Sequence, residues 1–157
     1  MANNDALDKI DSALFSLMRI AKRPAYWEEF QRQANAQIDR PAAAILLLLS
    51  HHPLSFSNLV TKLGIEAPSI SRKVHELEQA GYIRREPTDD RRVHLLSLTS
   101  SGQALYIDVV RARRAMLASD LSDWTELDKT KLSDLLTRLA SDLAKRYGNT
   151  KEKREER

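Results

Sequence analysis

The stretch from Pro68 to Arg92 gathers the side chains best suited to hold an anionic partner. It carries the hydroxyls of Ser69 and Ser71, the Arg72 guanidinium, the Lys73 ammonium, the His75 imidazole, and further guanidinium groups at Arg84, Arg85, Arg91 and Arg92. Such groups donate hydrogen bonds to phosphate oxygens, and arginine offers a two-pronged donor to guanine. This is the chemistry of recognition, with no bond made or broken. On a helix that turns about 100 degrees per residue, with Ile70, Val74 and Leu77 facing inward, Arg72 lies nearly opposite the core. Pro68, Ser69, His75 and Glu76 surround it, and Ser71 and Lys73 flank it. Short side chains at the helix start let the backbone itself approach phosphates or bases closely.

Total charge does not identify this surface. From Glu66 through Arg92, six Lys or Arg meet six Asp or Glu, so placement must decide which cations are free. Asp89 and Asp90 stand beside Arg91 and Arg92, where a carboxylate can hold a guanidinium extended. The competing reading is that these arginines solvate a small hairpin and pair with neighbouring acids.

A second set of residues suits a small ligand. Tyr26, Trp27, His51, His52 and Tyr106 offer aromatic surface and a few donors, which fits a small aromatic or carboxylate effector. His51 and His52 are adjacent, so on a helix end they diverge by about 100 degrees and make a poor metal pair. With His75 and His94 in another part of the chain, spacing supports no metal site, and no cofactor is implied. The absence of cysteine excludes disulfides, thiolate metal sites and thiol catalysis. No phosphate loop, dinucleotide turn, zinc motif or nucleophile constellation is present, so an enzyme is not expected.

The elements that must position these groups follow from apolar periodicity. The 157 residues, 42% hydrophobic and 30% charged with a net charge of +3, fit one globular unit. Leu7, Ile10, Leu14, Leu17, Met18 and Ala21 draw one stripe on a helix from about Asp5 to Lys22, which Pro24 ends or bends. From Ala25 to Ile38 the pattern weakens, and Tyr26, Trp27 and Phe30 anchor either a short helix or an ordered connection. Asp39, Arg40 and Pro41 start a helix whose run Ala42 to Leu49 is apolar on every side, which places it in the middle of a core. After His51, His52 and Pro53, Ser55 and Asn58 open a helix closed by Gly64. Pro68 opens the next, closed by Gly81. Tyr82 to Glu86 and Val93 to Leu98 then read as two strands around a polar tip. Thr99 and Ser100 cap a long helix carrying Leu105, Val109, Ala112, Met116 and Leu117. Thr125 and Asp128 start a last one with Leu132, Leu135, Leu136, Leu139 and Leu143 inward. The predicted fold is mostly α with a small β-hairpin wing (α+β), a winged helix-turn-helix whose second helix and wing are the usual DNA-contacting parts. No stretch is long and apolar enough to cross a bilayer, and the N-terminus lacks a basic region followed by an apolar one, so a cytoplasmic location and no membrane partner are expected.

The stretch Pro68 to Leu105 resembles the recognition helix, wing and following helix start of the MarR family of bacterial transcriptional regulators. The resemblance rests on Ser71-Arg72, on Leu77 to Gly81, on Asp90 and Arg92 in the wing, and on Leu98-Thr99 followed by Gly102. It implies a homodimer joined through N- and C-terminal helices and bound to a roughly palindromic operator in double-stranded DNA. It further implies that Asp90 braces the wing and Arg92 reaches the minor groove. Two departures stand out: Ala67 replaces the polar cap expected before the recognition helix, and Pro24 to Ile38 differs where the family commonly builds part of its effector pocket. Residues 1–148 are accordingly expected to form one unit. Within it, 1–38 and 101–148 supply dimerisation helices and a connection, 39–100 form the winged helix-turn-helix, and 149–157 form a charged, disordered tail. The expected function is a homodimeric transcriptional regulator, a repressor modulated by a small effector. The alternative is a winged-helix module that binds another protein without reading DNA. Replacing Arg92 by Ala should weaken operator binding and reduce the salt slope of log affinity by about one, with dimerisation intact. Titration at several salt concentrations checks this, and an unchanged slope removes Arg92 from the contact set.

Overall fold

The computed structural model describes residues 2–88 and 93–147. The expected wing contacts Asp90, Arg91 and Arg92 and the expected tail at 149–157 lie outside the described residues. In chain order the elements are α1 (Ala2–Ile20), α2 (Pro24–Ala34), α3 (Arg40–Leu49), β1 (Leu54–Ser55), α4 (Phe56–Leu63), α5 (Ala67–Gln79), β2 (Ile83–Pro87), β3 (His94–Leu98), α6 (Ser100–Asp120) and α7 (Glu126–Tyr147).

The helix that is apolar all round takes the centre. In α3, Ala42, Ala43, Ile45, Leu46 and Leu49 are buried, and α4, α5, α6 and β3 pack against it. Its start is fixed as the sequence suggests: the Asp39 side chain accepts from the Ala42 N–H at 2.9 Å, and Pro41 sits in the first turn. Ser55 caps α4 through the Asn58 N–H, and Thr99 caps α6 through the Gly102 N–H. Each such cap contributes about 0.5–2 kcal/mol. Pro24 begins a helix here as well as ending one, because its missing N–H costs nothing in a first turn. The weakly patterned stretch therefore holds α2, which buries Phe30 and Ala34 against the core and ends at Asn35 in the left-handed region (φ 49°).

The three strands form one antiparallel sheet in the order β1-β3-β2. Two residues of β1, Leu54 opposite Leu96 and Ser55 opposite Leu95, are too short a signal for sequence periodicity, yet they close the sheet against α4. Ile83 pairs with Leu98 and Pro87 with His94, so Ile83, Leu96 and Leu98 share the core-facing side while Arg84, Glu86 and Ser97 share the other. Thr88 donates to the Val93 carbonyl at 2.8 Å at the base of the wing tip.

Two elements differ from the rest. Of the α7 leucines expected inward none is buried: Leu135, Leu136 and Leu143 are exposed, Leu135 to 65%, and Leu132 and Leu139 are half-buried. In α1, Leu7, Ile10, Phe15, Leu17 and Met18 are likewise exposed, and Leu117 of α6 joins them. Neither α1 nor α7 packs extensively on the rest of the chain. Their stripes have helical spacing, but among the described residues most of their apolar side chains remain exposed within one subunit.

Gly102 locks the wing to α6. A Cβ built there would lie 1.9 Å from the Tyr82 carbonyl oxygen, which already accepts the Thr99 N–H at 3.0 Å. Only a bare Cα lets the first turn of α6 approach the joint between α5 and β2 this closely. Gly102→Ala should therefore destabilise the fold by about 3 kcal/mol or more. Urea unfolding would show a lower midpoint at unchanged slope, whereas the exposed neighbour variant Ser101→Ala should leave it within about 0.5 kcal/mol.

Candidate nucleic-acid interface

The candidate recognition surface is built on α5. Ile70 and Val74 are fully buried and Leu77 nearly so, which fixes the rotation of the helix about its axis. Pro68, Ser69, Ser71, Arg72 and His75 are then exposed on the opposite side, and the Arg72 side chain is 79% exposed. The N-cap is Glu66, one residue before the expected Ala67, which is instead the first helical residue, and no side chain caps the helix. Its first turn relies on backbone bonds from Ser69 and Ile70 to the Glu66 carbonyl and on Pro68. Gly81, with φ 76°, adopts the left-handed conformation just beyond the helix end and turns the chain into β2.

Ion pairs decide which cations remain available. Arg85 lies on the core-facing side of β2 and grips Glu78 of α5 through two hydrogen bonds of 2.7 and 3.0 Å. That bidentate pair ties the hairpin to the recognition helix, and its hydrogen bond to Glu78 holds the Arg85 pKa above the usual arginine value. Arg84, on the other side, meets Glu86 at 2.9 Å and Ser97 at 3.3 Å and remains 63% exposed. Ser97 also donates to Glu86 at 2.6 Å. Lys73, expected on the flank as a contact, is placed otherwise: its side chain is 18% exposed and its ammonium pairs with Asp39 at 2.6 Å and with Glu76. Burial pulls its pKa down, but the hydrogen bonds and charges of Asp39 and Glu76 outweigh this and hold it above the usual lysine value.

The five effector candidates do not converge on one cavity. Tyr26 and Trp27 line a cavity of about 270 Å³ with Phe30, Ala43, Leu47, Arg40 and Arg113. Trp27 packs edge-on against Phe30 at 4.9 Å between centroids and donates to the Ala21 carbonyl at 3.0 Å. Tyr106 lines a separate shallow hollow with Arg111 and Arg114, and His51 and His52 are exposed beyond the other end of α3. Adjacent aromatic positions on α2 come together, but sequence alone does not show which arginines join them: Arg40 and Arg113 are 73 positions apart in the chain. A larger crevice of about 800 Å³ runs between α2, the back of α5 and the start of α6, bordered by Asn35, Asp39, Lys73, Glu76, Tyr82 and Asp108. None of the five candidates lines it. Among the described residues no group of three or more His, Cys, Asp or Glu is placed to hold a metal ion, and no helix is long and apolar enough to cross a membrane.

A helix-turn-helix of α4 and α5 packed on α3 and followed by a two-stranded wing defines a winged-helix fold. The family model of the MarR family matches residues 36–92, the stretch that contains α3 through α5 and the first strand of the hairpin. The chain is 31% identical over 103 residues to the HTH-type transcriptional repressor MdtR of Bacillus subtilis, covering 64% of this chain and 66% of that protein. It is 36% identical over 93 residues to the HTH-type transcriptional regulator PecS of Dickeya dadantii, covering 59% of this chain and 56% of that protein. The matches thus span about two thirds or less of these relatives' own lengths. The crystal structure of a MarR family transcription regulator superposes with a TM-score of 0.70 at 27% identity, covering 91% of this chain and 95% of that one. Residues 36–92 thus match the MarR family, and most of the chain shares the fold of a solved MarR family regulator. The matching relatives and the fold are those of transcription regulators, not of enzymes.

The wing carries its own pH dependence. The Ser97 hydroxyl, then the Arg84 guanidinium, hydrogen-bond the Glu86 carboxylate and hold its pKa below 4.5. A carboxylate with a depressed folded-state pKa contributes stability above its unfolded value and loses it as pH falls through the folded one. Glu86→Gln should therefore lower the thermal midpoint slightly at pH 7 and converge with the unaltered protein as pH falls through the carboxylate range, which flattens the acid limb. Thermal midpoints measured from pH 7 to pH 3 on both proteins check this, and identical acid limbs would remove Glu86 from the linkage.

Proposed function

We propose that the protein is a homodimeric, sequence-specific DNA-binding transcription regulator. It acts in the cytoplasm as a repressor whose operator affinity responds to a small effector. The observation that carries the reading is α5 itself. Three buried residues fix its rotation, and Pro68, Ser69, Ser71, Arg72 and His75 form a projecting, donor-bearing face free of apolar side chains other than the proline. A face of this composition suits base edges and phosphates in a major groove, with Arg72 in the central position. Arg84, and Arg91 and Arg92 on the wing, would add backbone and minor-groove contacts, with Asp90 bracing them as the family resemblance implies.

The uncovered apolar stripes of α1 and α7 support the dimer, since a second copy supplies the surface they lack. Twofold symmetry would set the two reading helices about 34–36 Å apart, one turn of DNA, and so call for a roughly palindromic operator. For the effector, the Tyr26–Trp27 cavity offers aromatic edges and two guanidinium groups, at Arg40 and Arg113, that no acid engages among the described residues. A small aromatic carboxylate matches that lining. The repressor assignment follows the repressor to which the chain is similar.

Selection of bound duplexes from a random DNA pool tests the reading. An inverted repeat supports DNA binding, sequence preference and twofold symmetry together. No enrichment, with salt-insensitive capture of a protein instead, supports the interaction-module alternative. Arg72→Ala should cost about 1–3 kcal/mol on the selected sequence if the arginine reads a base, and equally on all sequences if it holds only phosphate.

A further inference from the structure

We infer that Asp39, Lys73 and Glu76 form an ionic strut that fixes the recognition helix on α3 and steadies Arg72, so that Lys73 is a positioning residue and not a phosphate contact. The inference rests on the DNA-binding reading above and adds to it the means by which the reading helix is held. Burial of Ile70, Val74 and Leu77 sets the rotation of α5, but apolar contacts are non-directional and resist sliding poorly. The strut adds a directional constraint. Asp39 is anchored first: one carboxylate oxygen accepts the Ala42 N–H at 2.9 Å and caps α3, the most buried helix of the fold. Its other oxygen accepts from the Lys73 ammonium at 2.6 Å. Lys73 in turn holds Glu76 one turn further along α5, and the second oxygen of Glu76 stands 4.0 Å from the Arg72 Nε. A continuous chain of opposite charges thus runs from the start of α3 to the arginine at the centre of the reading face.

The same geometry argues against Lys73 as a phosphate ligand. Its side chain is 18% exposed against 79% for its neighbour Arg72, and two carboxylates already neutralise its charge and take two of its three donors. An ammonium neutralised in this way releases no counterion when DNA approaches, so it contributes nothing to the salt slope. Reaching a phosphate would require abandoning both partners and leaving Asp39 and Glu76 without their cation beside a polyanion.

The experiment turns on a sign. Asparagine caps a helix as well as aspartate does, so Asp39→Asn keeps the α3 cap and removes one negative charge near the bound DNA. On electrostatics alone it should tighten binding. The strut predicts the reverse, a loss of roughly tenfold on a selected duplex. Lys73→Met should lose about as much with the salt slope unchanged, Lys73→Arg should restore most of it, and the Asp39→Asn/Lys73→Met double variant should be no worse than either single one. Hydrogen exchange in the DNA-free protein gives a second readout: both single variants should lower protection of the α5 amides, while Lys62→Met, at an exposed position of α4, should not. A salt slope that falls by about one in Lys73→Met, or tighter binding by Asp39→Asn, overturns the positioning role. If the unaltered protein binds no duplex, the DNA-binding reading falls and the recognition role with it, and the exchange data alone decide the strut: unchanged α5 protection overturns it.

Discussion

An all-apolar helix cannot lie on a surface, and the rest of this fold follows from where α3 must go. Ile45 and Leu46 are wholly removed from water. Burying side chains of this size contributes about 1.5–3 kcal/mol each. Once α3 is central, α4, α5, α6 and β3 are the elements that enclose it, and each does so with a single apolar stripe. A stripe that faces α3 leaves the opposite side of its helix to solvent. The outward face of α5 is thus a consequence of the core: turning Ile70 and Val74 inward turns Arg72 out.

The charge arrangement follows a similar logic at a finer scale. Residues 66–92 carry no excess of positive charge, so the recognition proposed for them depends on unequal engagement of their cations. Arg85 and Lys73 lie on sides of their elements that face other parts of the chain, and their carboxylate partners hold them there. Arg72 lies on the free side, with its nearest acid at 4.0 Å. Pairs with one partner half exposed contribute only modestly to global stability. Their value is geometric: Glu78 with Arg85 relates wing to helix, and Asp39 with Lys73 relates helix to core.

Most of this organisation was legible in the sequence because it rests on local rules. The caps at Asp39, Ser55 and Thr99, the glycine stops at Gly64 and Gly81, and the inward set of α5 are short-range patterns that the structure reproduces. What escaped depends on distance. The helix at Pro24–Ala34 was obscured because its buried residues, Phe30 and Ala34, are few and their partners lie in α6. Strand β1 is two residues long and exists only because β3 offers an edge. Lys73 fell on the flank by helical angle alone, which cannot show that Asp39 lies within reach. The same limit scattered the effector candidates: aromatic residue type drew attention to Tyr106, His51 and His52, whereas the cavity at Tyr26 and Trp27 is completed by Arg40 and Arg113. Gly102 entered as part of a family resemblance, and its cause is the 1.9 Å a methyl group would leave to the Tyr82 carbonyl.

The helices at the two ends of the chain obey none of these local enclosures. Helices of 19 and 22 residues with little packing on their own subunit lack most of the tertiary contact from which protein helices draw their stability. Their stripes are regular, so their exposed apolar side chains are a cost to a lone subunit that pairing, as proposed, would relieve. In the proposed dimer, ordering α1 and α7 and joining the subunits are therefore one thermodynamic event, linked to protein concentration. The same event would set the spacing of the two α5 helices, because α6 is at once a wall of the core and the helix that leads to α7. A ligand seated between Trp27 of α2 and Arg113 of α6 would touch both the reading module, through Arg40 of α3, and the helices that fix the spacing. It would shift operator affinity only to the extent that it binds one spacing better than the other. That condition is one that a cavity walled by three separate elements is well placed to meet.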